Sequence, residues 1–320
     1  MRAAVNTSYG PPEVVTLADV QKPVPGEQEV LIKVYAATVN RTDCAFRSAE
    51  YIASRLFSGL FKPKNHILGN EFAGQVEAVG GGVTQFAVGD MVFGYNDQQF
   101  GAHAEYLTMP EQGCLSTMPA GLTYEQAAPL CEGGHYALCD IRAAKVKAGQ
   151  HVLVYGATGA IGSAAVQLLR HFGASVTAVC DTRNVELVKS LGAHTVIDYT
   201  RADYTQAGQT YDFVFDTVGK SSFGQARKVL GPQGIYISTE LGKRFENIFY
   251  ALNAPFSRGP KVLFPIPSMS QADVVLFREL VESRQYRALI DRRYPLEQIV
   301  EAYRYVETRQ KIGNVVITFS

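Results

Sequence analysis

The residue pattern best suited to chemistry is a glycine-rich turn between an apolar strand pattern and a helical pattern. The apolar run Val152–Tyr155 is typical of a strand buried on both faces of a sheet. Gly156, Gly159 and Gly162 follow, and the helical pattern behind them ends at Gly173. Glycine lets the backbone approach a pyrophosphate, and a helix N-terminus offers unpaired N–H groups and the positive end of its dipole.

The spacing of this turn departs from the usual dinucleotide fingerprint at one position. Counted back from Gly159 and Gly162, the first glycine position holds Ala157, which gives Ala-x-Gly-x-x-Gly. A lone glycine motif is weak, but the strand before it and the helix behind it are the context that it requires. The pattern therefore predicts a bound dinucleotide, with contacts from Ala157, Thr158, Gly159, Ala160, Ile161 and Gly162.

The end of the next predicted strand, Ser175–Cys180, is where such a site reads the ribose of the adenosine. NAD sites usually have a carboxylate there, and in this chain Asp181 comes one residue after the strand. Arg183 could hold a 2′-phosphate through charge-assisted hydrogen bonds. NADPH is therefore the predicted cofactor, and NADH is the alternative because Asp181 would repel that phosphate. A second interpretation is that Asp181 and Thr182 only cap a helix near residues 184–190.

Composition excludes several classes of protein. The 320 residues include 30 Lys and Arg and 30 Asp and Glu, so the net charge is zero, and no basic cluster favours nucleic acid or a membrane surface. No apolar stretch reaches the ~18 residues of a membrane span, and no signal-peptide pattern opens the chain. Five cysteines without a Cys-x-x-Cys pair predict a reducing compartment, the cytoplasm, rather than a disulfide framework.

The pattern changes near residue 121, which predicts two domains. Before this point, short strand patterns alternate with Pro and Gly turns; after it, helices alternate with strands as in a doubly wound parallel sheet. Thr123 and Gln126 form a capping box that predicts a helix running towards Lys145. The chain closes with helices near 271–284 and 295–308 and a strand, Asn314–Phe319, which we expect to return to the first domain.

Several separated motifs together resemble a known family over the whole chain. They are Val39-Asn-Arg-Thr-Asp43, Leu68-Gly-Asn-Glu-Phe-Ala-Gly74, Val88-Gly-Asp-Met-Val-Phe93, the Ala157–Gly162 turn, Leu191-Gly-Ala-His-Thr-Val-Ile-Asp-Tyr199 and Asp216-Thr-Val-Gly219. The chain is similar to the medium-chain dehydrogenase/reductase superfamily, in its zinc-free quinone oxidoreductase branch. The resemblance implies an α/β fold with a GroES-like β-rich catalytic domain, residues 1–121 and 285–320. It also implies a Rossmann cofactor domain with a doubly wound parallel sheet, residues 122–284.

The positions that bind metal in zinc-dependent relatives are altered in this chain. The resemblance places Asn40 where those relatives have Cys, Asn70 where they have His, and Cys131 at the third ligand position. One thiol and two neutral amides suit Zn²⁺ poorly, because zinc prefers thiolate, imidazole or carboxylate. We therefore predict no metal, and Cys131 is interpreted as a small buried residue.

Without zinc, hydrogen bonds must polarise the carbonyl that accepts a hydride. We predict hydride transfer from NADPH to a quinone or an α,β-unsaturated carbonyl, with donors placed where negative charge develops on oxygen. The resemblance places Asn40 at a metal position of the relatives, Tyr51 at a tyrosine of their substrate pocket, and His135 near their nicotinamide. It therefore implies Asn40 and Tyr51 as the catalytic donors and His135 as a further residue of the substrate pocket. Alternatively, Asn40 bonds its own backbone in a turn, and Tyr51 is a packed aromatic residue.

The resemblance also implies further contacts with the cofactor and the oligomeric state of similar enzymes. The additional predicted cofactor-binding residues are Tyr199, Val218, Thr239, Leu241, Phe264 and Asn314. Similar enzymes pair an edge strand across a two-fold axis, so the strand at Lys261–Phe264 predicts a homodimer. Two other functions stay open: an enoyl-thioester reductase of the same fold, and a non-catalytic protein that binds NADPH.

Overall fold

The computed structural model describes residues 1–49 and 55–319, without the side chains of residues 56 and 57. Two compact units divide the chain. Unit 1 consists of Met1–Glu132, Met269–Arg284 and Ala288–Ser320, and unit 2 consists of Gly133–Ser268 and Gln285–Arg287. No helix in the described ranges is long and apolar enough to span a membrane.

The helices and strands follow the two predicted patterns, with mainly strands first and alternation later. In chain order they are β1 (Arg2–Asn6), β2 (Val15–Asp19), β3 (Glu29–Val39), α1 (Arg41–Ser48), α2 (Arg55–Ser58), β4 (Glu71–Val79), β5 (Met91–Tyr95), β6 (Tyr106–Pro110), β7 (Leu115–Thr117), α3 (Tyr124–Ala127), α4 (Glu132–Ala144), β8 (His151–Tyr155), α5 (Ala160–His171), β9 (Ser175–Cys180), α6 (Val185–Ser190), β10 (Thr195–Asp198), β11 (Tyr211–Asp216), α7 (Phe223–Ala226), β12 (Leu230–Ser238), α8 (Glu246–Leu252), β13 (Lys261–Leu263), α9 (Gln271–Glu282), β14 (Ile290–Pro295), α10 (Ile299–Glu307) and β15 (Asn314–Thr318). Short 3-10 turns lie at Pro12–Val14, Ala128–Leu130, Thr182–Asn184, Tyr204–Gln206, Lys243–Phe245, Ala254–Phe256 and Leu296–Gln298.

Unit 1 is built on a sheet with the strand order β14-β15-β3-β4-β5-β7, with β6 paired to β3 and β1 paired to β2. The long strand β3 is the centre of this sheet because it pairs with β15, β4 and β6, all antiparallel. The pairing of β15 with β3 confirms that the last strand returns to the first domain. Apolar side chains of β3, among them Val30, Ile32 and Val34, are buried in the core together with Phe72 and Tyr303.

The helix predicted from Thr123 towards Lys145 is not continuous. Thr123 caps α3, and its capping box with Gln126 is present. Pro129 then leaves the helical region, at φ −84° and ψ 18°, and α4 begins only at Glu132. A proline ring inside a helix removes a backbone hydrogen bond and clashes with the preceding turn, so the chain bends here.

The boundaries of the two compact units differ from the predicted domain boundaries at residues 121/122 and 284/285. Helix α9, which the sequence analysis assigns to the Rossmann domain, packs in unit 1. Gln271 Nε2 donates to the Glu111 carbonyl at 2.8 Å, and Arg278 Nη1 donates to Thr117 Oγ1 at 2.8 Å. These side-chain bonds tie α9 to the segments around β7.

Unit 2 has a parallel sheet in the order β10-β9-β8-β11-β12-β13, as its strand registers show. The chain runs outward from β8 through β9 to β10, then returns to β11 on the other side of β8. Ligands of such sheets bind outside the carboxyl ends of the strands, at the point where the order reverses. In unit 2 that point lies between β8 and β11, directly at the glycine turn.

Candidate active site

The three glycines of the turn after β8 differ in how closely other atoms approach them. Gly156 has a φ of +84°, and a Cβ there would lie 2.7 Å from the side chain of Val218. A Cβ on Gly162 would lie 2.1 Å from the Gly156 carbonyl oxygen, so the turn packs directly on α5. A Cβ on Gly159 would meet just one protein atom, at 3.7 Å. Gly159 therefore leaves one side of the backbone open for close approach of a ligand.

The N-terminus of α5 suits an anion. Its N-cap is Gly159, which supplies no side-chain acceptor, and Ser163 N–H is bonded to the Gly159 carbonyl at 2.9 Å. The N–H groups of Ala160, Ile161 and Gly162 precede that first helical bond and have no intrahelical partner by geometry. These N–H groups and the open face of Gly159 fit the pyrophosphate of a dinucleotide.

The residues at the end of β11 are hydrogen-bonded to the glycine turn. Thr217 Oγ1 donates to the carbonyls of Tyr155 at 2.9 Å and Gly156 at 3.1 Å. Asp216 is buried and accepts from Val218 N–H at 3.2 Å and from the Tyr236 hydroxyl at 3.1 Å. Val218 is therefore held beside Gly156, which brings one predicted cofactor residue to the turn.

The ends of β9 and β10 bring Asp181, Arg183 and Tyr199 to one edge of the sheet. Asp181 Oδ1 accepts from Asn184 N–H at 3.2 Å, so it caps the 3-10 turn Thr182–Asn184, while the N-cap of α6 is Asn184. Its other oxygen pairs with Arg183 Nη2 at 3.1 Å, while the Arg183 side chain stays 88% exposed. Thr182 Oγ1 lies 3.0 Å from Thr200 Oγ1, which joins the two strand ends. A cation and an exposed tyrosine thus lie at the ends of two adjacent strands.

The other predicted cofactor residues separate into two groups. Thr239 and Leu241 follow β12, and Phe264 follows β13, so they share the carboxyl edge of the sheet with the glycine turn. Thr239 N–H donates to the Asp216 carbonyl at 3.1 Å. Asn314 lies instead in unit 1, where its side chain donates to the Leu289 carbonyl at 3.0 Å.

Asn40 caps helix α1 in unit 1. Its Oδ1 accepts from Asp43 N–H at 3.0 Å, and Asp43 Oδ2 accepts from Asn40 N–H at 2.9 Å, which completes a capping box. Asp43 Oδ1 also accepts from Gly69 N–H at 3.0 Å. The cap is the turn role that the alternative interpretation gives to Asn40, and it leaves the nitrogen of the same amide for another partner.

That nitrogen begins a buried line of side chains. Asn40 Nδ2 donates to Asn70 Oδ1 at 2.7 Å, and Asn70 Nδ2 donates to Glu132 Oε2 at 2.9 Å. Thr42 Oγ1 lies 2.5 Å from the other oxygen of Glu132. Asn40, Asn70 and Glu132 are all at least 96% buried, with exposed fractions of 4%, 0% and 4%. We call these three side chains the amide–carboxyl line.

Glu71 fixes the backbone at which Glu132 enters the site. Its Oε1 accepts from the N–H groups of Cys131, at 2.9 Å, and Glu132, and its Oε2 accepts from Thr38 Oγ1 at 2.7 Å. Strand β4 therefore sets the start of α4, and the Glu132 side chain is directed from there onto Asn70.

Burial and mutual repulsion shift the acid groups around this line. Burial raises the pKa of Glu71 to about 8, and the neighbouring Glu132 adds to the shift. Burial likewise raises the pKa of Asp43 to about 8 and the pKa of Glu132 above its ordinary value. Burial lowers the pKa of Lys311, and attraction to Glu71 and Glu132 opposes that shift. Such shifts concentrate at functional sites.

Comparison with known proteins relates both parts of the chain to one group of enzymes. The family "Alcohol dehydrogenase GroES-like domain" matches residues 26–120, and the family "Zinc-binding dehydrogenase" matches residues 191–317. The chain is 31% identical to the 2-methylene-furan-3-one reductase of Solanum lycopersicum, over 99% of the chain and 79% of that protein. The chain belongs to the medium-chain dehydrogenase/reductase superfamily.

Other members of the superfamily are similar over the whole chain. The chloroplastic NADPH-dependent alkenal/one oxidoreductase of Arabidopsis thaliana is 30% identical, over 99% of this chain and 79% of that one. The solved quinone oxidoreductase of Coxiella burnetii superposes with a TM-score of 0.86 at 27% identity, over 99% of both chains. The predicted fold class, a GroES-like domain with a Rossmann domain, is confirmed.

Two of the positions that the resemblance equates with zinc ligands hold amides that are hydrogen-bonded to each other. Asn40 Nδ2 donates directly to Asn70, and Asn70 donates in turn to Glu132, a residue that the sequence patterns did not indicate. Cys131 is buried, and its N–H bonds to Glu71. Two neutral amides, with the Cys131 thiol at the third position, fit zinc poorly. Over residues 1–49 and 55–319, no cluster of three or more His, Cys, Asp or Glu is placed to hold a metal.

Two predicted substrate residues remain predictions. Tyr51 lies outside the described residues. His135 is buried in α4 of unit 2, where its ring contacts Tyr136 in a T-shaped arrangement at 4.7 Å.

Proposed function

We propose that the chain is an NADPH-dependent reductase that transfers hydride to a quinone or an α,β-unsaturated carbonyl without zinc. The observation that carries this proposal is the amide–carboxyl line. At the positions of zinc ligands in relatives, it offers a fixed amide N–H₂ group. Two relatives with 30% and 31% identity are named as reductases of an alkenal/one and of a methylene-furanone, which supports this class of acceptor.

Asn40 is the proposed donor to the substrate oxygen. Asn40 Oδ1 is committed to the helix cap, and Asn70 takes one hydrogen of Nδ2. The second hydrogen is left for an acceptor. Negative charge builds on the substrate oxygen as hydride adds to the conjugated carbon, so a fixed N–H donor stabilises the transition state more than the ground state. Tyr51 is proposed as a second donor.

Unit 2 is proposed to hold the cofactor. The N–H groups at the start of α5 and the open face of Gly159 suit its pyrophosphate, while Arg183 and Tyr199 suit the ribose end. When bound, the nicotinamide supplies the hydride. The residues of the chain orient both reactants and supply hydrogen bonds to the developing oxyanion.

The altered donor set predicts that purified protein contains far less than one zinc per chain. Elemental analysis of protein prepared without added chelator measures this content, and NADPH-dependent turnover with and without a chelator is compared. We expect unchanged turnover. One zinc per chain, with activity lost to the chelator, would show that the amide–carboxyl line rearranges around a metal.

NADPH is predicted to bind more tightly than NADH. Replacing Arg183 with Ala should weaken NADPH by ~1–3 kcal/mol, the range for a hydrogen bond to a charged group, and leave NADH nearly unchanged. The ion pair with Asp181 reduces the available charge, so we expect the lower half of that range. Fluorescence titration with each cofactor measures both affinities. Tighter binding of NADH by the parent protein would mean that Asp181 decides the preference.

We also propose that the chain forms a homodimer. Strand β13 ends the sheet of unit 2, paired to β12, and Phe256 and Ile266 near it are 84% and 87% exposed. Pairing this edge in a second copy would cover apolar side chains and protect the strand from aggregation. Light scattering at micromolar concentration should give the mass of two chains. A single-chain mass there would contradict the proposal.

A panel of acceptors tests the proposed activity. Each of 9,10-phenanthrenequinone, an alkenal and crotonyl-CoA is supplied with NADPH, and cofactor oxidation is followed. We expect turnover of the quinone or the alkenal. Faster turnover of crotonyl-CoA would favour the enoyl-thioester reductase, and inactivity with all three, together with NADPH binding, would favour a non-catalytic protein.

A further inference from the structure

We infer that Glu132 is a positioning residue: through Asn70 it holds the amide of Asn40 so that one N–H bond keeps a fixed direction. This inference deepens the proposed function and rests on the role of Asn40 as donor. Glu132 acts on the substrate only through Asn70 and Asn40.

The two ends of the amide–carboxyl line differ in hydrogen-bonding character. One end is the backbone N–H of Asp43, which can only donate, and it donates to Asn40 Oδ1 at 3.0 Å. The other end is Glu132 Oε2, which accepts from Asn70 Nδ2 at 2.9 Å. Each amide between these ends has one oxygen and one N–H₂ group. With a donor at one end and an acceptor at the other, only one orientation of both amides satisfies every bond.

The orientation does not depend on the charge of Glu132. As a carboxylate, Glu132 accepts from Asn70 at Oε2 and from Thr42 at Oε1, which lies 2.5 Å from Thr42 Oγ1. The Tyr95 hydroxyl is a third hydrogen-bond partner of Glu132. If Oε1 carries a proton, the hydroxyl of Thr42 can accept it, because a hydroxyl both donates and accepts. Oε2 stays an acceptor in either case, so Asn70 keeps its oxygen on Asn40.

Removal of Glu132 would release this constraint. Asn70 is fully buried, so without Glu132 its N–H₂ group would have neither that acceptor nor water as a partner. Because an unpaired buried donor is costly, the Asn70 side chain would then tend to rotate. Asn40 would keep its cap through Oδ1 and would lose a fixed partner at Nδ2. A misplacement of about 1 Å of a group that orients substrate can cost roughly 10²-fold in rate.

The first test is kinetic and uses Asn40 itself as the reference. With the acceptor that the parent protein reduces, Glu132→Ala should lower kcat by roughly 10–100-fold with little change in KM. Glu132→Gln retains an acceptor for Asn70 and should stay within about threefold of the parent. In an Asn40→Ser background, Glu132→Ala should change kcat by less than about twofold, because the donor that it positions is already gone.

These measurements separate positioning from a general structural role. The inference is wrong if Glu132→Ala lowers kcat by the same factor in the Asn40→Ser background as in the parent. It is also wrong if Glu132→Ala alone retains the parental kcat. If Glu132→Ala does not fold, Asn70→Leu replaces it, since it removes the middle of the line with a side chain of similar shape. We expect Asn70→Leu to lose kcat as Glu132→Ala does, and parental kcat would again count against Glu132.

A second readout needs no turnover, so it separates this inference from the proposed function. The side-chain N–H₂ signals of Asn40 are assigned by their absence in Asn40→Ser, and their hydrogen exchange is measured by NMR. We expect slow exchange in the parent, at least about tenfold faster exchange in Glu132→Ala, and slow exchange again in Glu132→Gln. An unchanged rate in Glu132→Ala overturns the inference, whereas absence of turnover in the parent overturns only the proposed function.

Discussion

Replacing Asn40 with Ser should lower kcat by up to ~10²–10³ and leave NADPH affinity unchanged. The expected loss is that of a donor to a developing oxyanion. Serine caps a helix about as well as asparagine, so α1 should keep its first turn while the amide N–H₂ is lost. Cofactor affinity should stay constant because Asn40 belongs to unit 1 and the glycine turn belongs to unit 2. Steady-state kinetics with an active acceptor and titration with NADPH measure the two quantities.

Two further variants complete this experiment. Asn40→Ala removes the cap as well, so it should show the same kinetic loss with an additional ~1 kcal/mol loss in the free energy of unfolding. Tyr51→Phe tests the second proposed donor. If Asn40→Ser and Tyr51→Phe both retain parental kcat, neither side chain serves the substrate oxygen, and the proposed mechanism is wrong.

The second large effect is expected at the glycine turn. Gly159→Ala should weaken NADPH by ~1–3 kcal/mol, about 5–150-fold, because the new methyl group would fill the side that the backbone offers to the pyrophosphate. The same methyl group would meet just one protein atom, at 3.7 Å, so the unfolding free energy of the free protein should hardly change. Isothermal titration and thermal unfolding without cofactor measure these two effects.

Gly162→Ala is the matched comparison. Its Cβ would lie 2.1 Å from the Gly156 carbonyl oxygen, so the turn must move even without cofactor. We expect a loss of about 1–3 kcal/mol in the free energy of unfolding together with weaker NADPH binding. If Gly159→Ala binds NADPH as the parent does, the cofactor does not approach this turn closely.

The sequence indicates the cofactor region well because its geometry is local. A strand, a turn and a helix that follow one another in the chain must bring their glycines together. The departure at Ala157 is explained by the structure: Gly156, one residue earlier, has the positive φ that the tight turn needs. The fingerprint predicts the strand, turn and helix, while backbone dihedrals determine which glycine makes the turn.

The amide–carboxyl line could not be predicted from the sequence in the same way. Its members come from the N-cap of α1, the segment before β4 and the first residue of α4, so the tertiary fold alone brings them together. Glu132 follows Cys131 directly in the chain, and the sequence alone does not show which of the two side chains faces Asn70. Acidic residues are rarely buried without a partner, so Glu71 and Glu132 in apolar surroundings are the signal that could have drawn attention to them.

The packing of α9 also could not be predicted from the pattern of the chain. The alternation of helices and strands continues through α9, and the periodicity of a helix does not tell which sheet it covers. The bonds of Gln271 and Arg278 to the segments around β7 decide that α9 packs in unit 1. Such side-chain contacts appear only once both partners are placed.

The most direct test of the central claim follows the hydride itself. Metal-free protein is supplied with NADPH deuterated at the transferable C4 position and with an α,β-unsaturated ketone, and the product is examined by NMR and mass spectrometry. We expect a saturated ketone with one deuterium on the β-carbon. An allylic alcohol with deuterium on the carbonyl carbon, or turnover that appears only when zinc is added back, would contradict it.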